Sequence, residues 1–233
     1  MIELKYEIKY RPSYSMLVVY LEPEEWITAE AGAMTYMTPN IEIRTRMRRG
    51  FFDTLKLALL GGQSFFVNDY IARGGPGEIG LVAAPIGDIT RLRVEEDRGF
   101  IIQKAAYIAS TPGVNLDIKW QGFTKGLFGQ GLFMIRTYGE GDLFINTFGA
   151  IDRHDLSPGE KLIVDNFHLV AFTDTCNYVV RRIGGLKELF LSGEGIVVEI
   201  EGPGEVYLQT KNLGEFVQWL WVLLEPMVSS KAR

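Results

Sequence analysis

Apolar residues fall mostly in short runs of four to eight, rich in β-branched and aromatic side chains and closed off by glycine. Val67 to Ile71 with Phe65 and Phe66 before it, Leu132 to Tyr138, and Ile196 to Ile200 are three such runs. That pattern predicts strands. Turn signals every 8–12 residues place the chain in the all-β class, as a sandwich, barrel or prism. Only two stretches carry helical spacing. Asp53–Leu60 (DTLKLALL) predicts two turns, and Glu215–Leu224 (EFVQWLWVLL) predicts a short C-terminal helix stopped before Pro226.

The runs recur in order. GPGEIGL from Gly75, GEGDLFI from Gly139 and GPGEVYL from Gly202 share Gly-x-Gly, an acid, an aliphatic residue, any residue, then Leu or Ile. Their steps are 139 − 75 = 64 and 202 − 139 = 63. A second element precedes each: GQSFF from Gly62, GQGLF from Gly129 and GEGIV from Gly193. A third starts at Leu21, Val94 and Leu156, where the first and last copies share Pro23/Pro158 and Glu25/Glu160. Three elements in one order predict three tandem units of about 65 residues. Each Gly-x-Gly reads as a β-hairpin turn whose glycines supply positive φ. The expected boundaries are about 10–85, 86–148 and 149–211, with a C-terminal helix over 212–233. The units are expected to pack around a shared core.

Composition narrows the chemistry. The 233 residues suffice to bury roughly 70% of the chain's surface. Cys176 is the only cysteine, so neither an intrachain disulfide nor a thiolate zinc site can form. A net charge of −5 weighs against nucleic acid as a partner. The opening MIELKYEIKY lacks the apolar core of a signal peptide, and no apolar run approaches bilayer length. The expected location is cytoplasmic, with a membrane-peripheral site as the alternative.

The candidate chemistry is sparse. Only His154 and His168 are available, and no Gly-x-Ser-x-Gly elbow occurs, so a serine-type hydrolase has no parts. Asp152–Asp155 (DRHD), with Asp165 and His168, is the one metal-like grouping; its simpler reading is a polar turn and a strand residue. The Gly-x-Gly turns are not phosphate loops, because Glu78, Asp142 and Glu205 sit where a phosphate would be repelled. Around a threefold axis those acids would make a ring able to hold a cation. Read singly they are solvated carboxylates. Copy one carries an insertion with Arg44, Arg46, Arg48 and Arg49, followed by Phe51 and Phe52. This basic segment, 44–52, is the candidate binding site. It would suit an anionic membrane surface, RNA or a small ligand, or else an apolar cap packed inward.

The runs AEAGAMTYMTPNIEI from Ala29, GGQSFFVNDYIARGGPGEIGL from Gly61, VDNFHLVAFTDT from Val164 and SGEGIVVEIEGPGEVYLQTKN from Ser192 resemble the altered-inheritance-of-mitochondria protein 24 family. The resemblance covers nearly the whole chain. It implies a double-stranded β-helix or prism-like fold, related to that of the tryptophan RNA-binding attenuation protein, built by duplication of a β unit and commonly trimeric. A yeast relative's association with the inner mitochondrial membrane implies a membrane-organising role there. The chain shows no presequence, so that location is not carried over. The family supplies no catalytic residue to transfer, and the segment after Ile43 is poorer in glycine than its pattern.

Together these readings predict a noncatalytic, cofactor-free scaffold or interaction protein that associates with copies of itself, as a trimer by the family resemblance. The C-terminal Trp219, Leu220, Trp221, Leu223 and Leu224 need a covering surface in cis or across a subunit boundary.

Overall fold

A computed structural model describes residues 4–46, 66–120, 133–182 and 196–229. Among the described residues the protein is all-β apart from one 3-10 turn at Lys104–Ala106 and one terminal helix, α1 (Leu213–Ser229). An opening strand, β1 (Lys5–Lys9), precedes three sets of six. The first set is β2 (Met16–Leu21), β3 (Trp26–Glu30), β4 (Met34–Met37), β5 (Ile41–Arg46), β6 (Val67–Ala72) and β7 (Gly77–Leu81). The second is β8 (Ile89–Val94), β9 (Phe100–Gln103), β10 (Tyr107–Ser110), β11 (Val114–Trp120), β12 (Phe133–Gly139) and β13 (Gly141–Asn146). The third is β14 (Ile151–Leu156), β15 (Lys161–Asp165), β16 (Leu169–Thr173), β17 (Asn177–Arg182), β18 (Ile196–Glu201) and β19 (Gly204–Gln209).

Within every set the first and third strands pair with the sixth. The second and fourth pair with the fifth. Even the irregularity repeats: a bulge against the sixth strand falls between Met34 and Tyr36, Tyr107 and Ala109, and Leu169 and Ala171. Two further pairings join the sets. β3 pairs with β10 and β9 with β16, so half-sheets from neighbouring sets fuse. The four sheets run β1-β2-β7-β4, β5-β6-β3-β10-β13-β8, β11-β12-β9-β16-β19-β14 and β15-β18-β17.

The sheets stack in layers, and the core lies between them in three clusters rather than one shared mass. Leu17, Ile27, Tyr70, Ile79 and Phe144 fill the space between the first and second sheets. Phe100, Tyr107, Ile135, Leu143 and Tyr207 lie between the second and third. Leu156, Phe172, Val198, Ile200 and Val206 lie between the third and fourth. Strands at the centre of the stack are therefore covered on both faces. All residues of β10, β13 and β16 are buried, which explains apolar runs without alternation.

The Gly-x-Gly corners are not hairpins. β6 belongs to the second sheet and β7 to the first, and β12/β13 and β18/β19 are likewise divided, so each corner carries the chain between layers. The second glycine is held by a threonine. The N–H of the following acid donates to the Thr38 hydroxyl at 3.1 Å, to Thr111 at 2.9 Å and to Thr173 at 3.0 Å. A Cβ on Gly141 would lie 2.2 Å from the Thr111 hydroxyl, and one on Gly204 would lie 2.0 Å from that of Thr173. Both glycines also have φ beyond +150°, where L side chains are strained.

At the C-terminus, Asn212 Oδ1 accepts the N–H groups of Gly214 (2.8 Å) and Glu215 (3.3 Å), an N-cap that starts α1 at Leu213, two residues before the apolar stretch from Glu215 and within the expected segment 212–233. The helix also runs through Pro226 to Ser229. Proline removes one backbone donor, but extending a helix already nucleated adds each residue at small cost.

Gly141→Ala and Gly204→Ala are expected to lower stability by about 3 kcal/mol or more, combining overpacking with backbone strain. Gly75→Ala meets nothing within 4 Å and should stay within about 0.5 kcal/mol of wild type. Chemical denaturation of the three variants checks this.

Candidate functional site

Of the basic segment, Arg44 and Arg46 lie in β5 rather than in a loop, because Ile41, Ile43 and Thr45 continue a strand paired with β6. The Arg44 Nε donates to Glu42 Oε1 at 2.7 Å, and the Arg73 Nε donates to Glu42 Oε2 at 2.7 Å. Arg73 also pairs with Glu24. These arginines hold the Glu42 carboxyl below its ordinary range, and the charge around Arg44 is largely offset. Arg48, Arg49, Phe51 and Phe52 lie outside the described residues, as do the expected helix 53–60 and the glycine elements at Gly62, Gly129 and Gly193.

The metal-like residues do not converge. Strand pleating sends Asp152 and His154 to one face of β14 and Arg153 and Asp155 to the other. His154 Nε2 lies 3.0 Å from Asp152 Oδ2, and Arg153 Nη2 donates to Asp155 Oδ1 at 2.7 Å. His168 Nδ1 lies 2.7 Å from the Gln209 carbonyl, while Asp165 accepts the Phe167 N–H at 2.8 Å. Among the described residues no group of three His, Cys, Asp or Glu could hold a metal ion. Cys176 is buried, and burial pushes its thiol up, away from reactive thiolate.

Nor do the corner acids form a ring: Glu78, Asp142 and Glu205 occupy three different sheets, and each has local partners. Glu78 accepts from the Tyr36 hydroxyl at 2.5 Å, which pushes that phenol up to about 12. Buried Asp142 accepts from Arg91 at 2.8 Å and Arg93 at 3.2 Å. Glu205 accepts from the Tyr207 hydroxyl at 2.6 Å and faces Arg98 and Arg153 at 3.3 Å.

What the fold exposes is strand edge. At the first joint Ala29 lies opposite Ala109, and Thr28 opposite Ser110. At the second, Ile102 lies opposite Ala171, Ile101 opposite Phe172, and Phe100 opposite Thr173. The strands in the corresponding positions at the two ends of the stack are β4 and β15. Among the described residues each pairs on one side only. Ile163 on β15 is 63% exposed, whereas its equivalents Thr28 and Ile101 sit inside the stack. Tyr36 on β4 lies over Gly80, where a Cβ would approach its ring to 2.3 Å. Sequence reading missed these edges, since pairing partners across units leave no local signature. Thr38, Thr111 and Thr173 were accessible to it, as M-T-P, S-T-P and F-T-D before each corner.

The joints differ in polarity. Gln103 ends β9 and donates to the Asn166 carbonyl at 2.6 Å across the second joint. Its equivalent Glu30 ends β3 beside Lys104. Burial pushes the Glu30 carboxyl up to about 7, although the Lys104 charge pulls the other way. Burial likewise lowers Lys104. Further along, Arg11 donates to both carboxylate oxygens of buried Asp88 at 2.9 Å, and Ser15 donates at 2.8 Å. Burial alone would raise Asp88; these donors outweigh it and hold the carboxyl below its ordinary range.

The second exposed feature is α1. From Leu213 to Leu224 its large apolar side chains are 37–63% exposed, and the Phe216 ring lies 5.4 Å from that of Phe148.

Stacked sheets, joint-position strands β4 and β15 paired on one side only among the described residues at the two ends of the stack, and an exposed apolar helix define an all-β protein. The family model described as Mitochondrial biogenesis AIM24 matches residues 6–211, and the chain belongs to that family. It is 27% identical over 221 residues to an uncharacterized protein of Streptococcus pyogenes serotype M6, covering 91% of this chain and 88% of that one. The crystal structure of a Streptococcus pyogenes protein, 25% identical, superposes with a TM-score of 0.79 over 95% of this chain and 100% of the other.

Two pH effects follow. Asp88, lowered on folding, contributes stability that is present above its unfolded value near 3.8 and lost as pH falls through its folded value. Arg11→Ala should cost about 1–3 kcal/mol at pH 7 and move acid unfolding to higher pH, read by circular dichroism. Glu30, raised on folding, acts oppositely: its contribution is complete below about 4.5 and lost as pH rises through about 7. Glu30→Gln, the residue type found at the second joint, should gain about 1 kcal/mol over wild type at pH 8 and nothing at pH 4, read by denaturant midpoints.

Proposed function

We propose that this protein is a noncatalytic scaffold built from three copies of one six-strand unit, and that whole chains join head to tail by the same strand pairing that joins the units. The observation that carries the reading is the pair of open edges. β4 is the third strand of its set and β15 the second strand of its set, the two positions that pair at both internal joints.

Equivalence sets the register. Val164 of one copy would lie opposite Tyr36 of the next, Ile163 opposite Met37, and Leu162 opposite Thr38. The fourth sheet of one copy and the first of the next then fuse into a six-stranded body like the two internal sheets, with β1 at its edge. An exposed edge is otherwise an aggregation hazard, and closing a ring through this joint removes the edges of β4 and β15. Three copies is the number implied by the family resemblance. A cytoplasmic location goes with this reading, and the family's descriptive link to mitochondrial biogenesis suggests a role as an organising assembly rather than a particular reaction. The alternative use of segment 44–52 for a membrane surface, RNA or a small ligand is weakened by the pairing of Arg44 with Glu42.

Light scattering at micromolar concentration should give a particle of about three times the chain mass. A chain carrying both Val164→Cys and Tyr36→Cys should form disulfides between copies on mild oxidation, since opposed residues on paired strands bring Cβ atoms to about 4.5–5.5 Å. A wild-type particle of single-chain mass, with no interchain bond in the double variant, defeats the proposal.

A further inference from the structure

We infer that α1 is a second subunit contact, packing against α1 of other copies through one apolar seam; the inference rests on the self-association proposed above. Leu213, Val217, Leu220 and Leu224 are spaced 4, 3 and 4 residues apart, the a/d spacing that keeps one stripe facing a partner helix. The positions flanking the stripe include Phe216, Trp221 and Leu223, while Glu215, Gln218 and Glu225 gather on the opposite side. Apolar flanks widen the face beyond a two-helix seam and suit contact with two neighbouring helices at once.

The exposed area matches such a contact. The seven large apolar side chains of the seam and its flanks, from Leu213 to Leu224 at 37–55% exposure, amount to on the order of 650 Å², taking roughly 200 Å² for each when fully exposed. One partner in a standard protein interface contributes about 800 Å², and the largest apolar patch on a soluble monomer is roughly 300–600 Å².

A second copy fits better than lipid. From Leu213 to Ser229 the helix has no lysine or arginine, and its charged residues are both acidic, which anionic headgroups repel. No described helix is long and apolar enough to cross a bilayer. Two heptads are too short to associate alone at low concentration. Tethering by the strand joints raises the local concentration to about millimolar and removes that barrier.

The test uses full-length chains carrying Cys176→Ser and one new cysteine, oxidised at micromolar concentration. Leu220→Cys, on the seam, should yield interchain disulfide in most chains. Val222→Cys, on the far side, should yield several-fold less. Equal yields, or none from Leu220→Cys, overturn the inference. So does wild type pelleting with phosphatidylcholine vesicles in a Trp219- and Trp221-dependent way while Leu220→Cys stays reduced, because lipid then covers the helix. The Val164→Cys, Tyr36→Cys pair is run alongside. Edge disulfides without seam disulfides sink the helix contact alone, and seam disulfides without edge disulfides sink the strand-edge joint on which the inference depends.

Discussion

The pairing of β3 with β10 and of β9 with β16 is the constraint on which the rest of the structure depends. Each set of six strands divides into two half-sheets, and a three-stranded half-sheet is a poor unit of stability. Backbone hydrogen bonds between sets turn four of these halves into two six-stranded sheets. Stacking then buries both of their faces. The apolar content of β10, β13 and β16 follows directly, for no side of these strands meets water. The same arrangement leaves β4 and β15 as edges, so the feature that stabilises the interior also creates the most reactive surface.

The glycine corners are what allow the layered path. A chain leaving the second, third or fourth sheet must reverse into its neighbour within about three residues, and the threonine hydroxyl before each corner fixes the first N–H of the new strand. There is no room for a side chain between them. Glycine here answers to packing as much as to backbone freedom, since a Cβ on Gly77, which has no positive φ, would lie 3.0–3.2 Å from the Thr38 hydroxyl and the Ile41 side chain.

Polar groups at the joints follow local burial and pairing. Gln103 bridges the second joint by a neutral hydrogen bond, whereas Glu30 and Lys104 meet at the first, where burial penalises both charges more than their attraction offsets. Asp142 and Glu205, which occupy equivalent corner positions, are each held by arginines of their own sheet or the adjoining turn. Among the described residues no three carboxylates, histidines or cysteines gather where they could hold a metal ion.

All-β character was legible in the sequence because strand periodicity and glycine punctuation are local properties of the chain, and the C-terminal helix was legible from its apolar spacing. The recurrence of Gly75, Gly139 and Gly202, with an acid three residues on, was equally visible as a pattern. Its meaning was not: the corners read as hairpins, yet they separate strands into different sheets. Whether two consecutive strands pair or part depends on side chains far along the chain, such as Thr111 under Gly141, so only the tertiary structure could decide it. The basic segment illustrates the same limit, since Arg44 looks like a free cation until Glu42 and Arg73 are placed around it. Periodicity along the chain determined which residues are strand and which are turn. Layer order, open edges and charge partners were decided by contacts between residues 30 to 110 positions apart, whose energies no local pattern records.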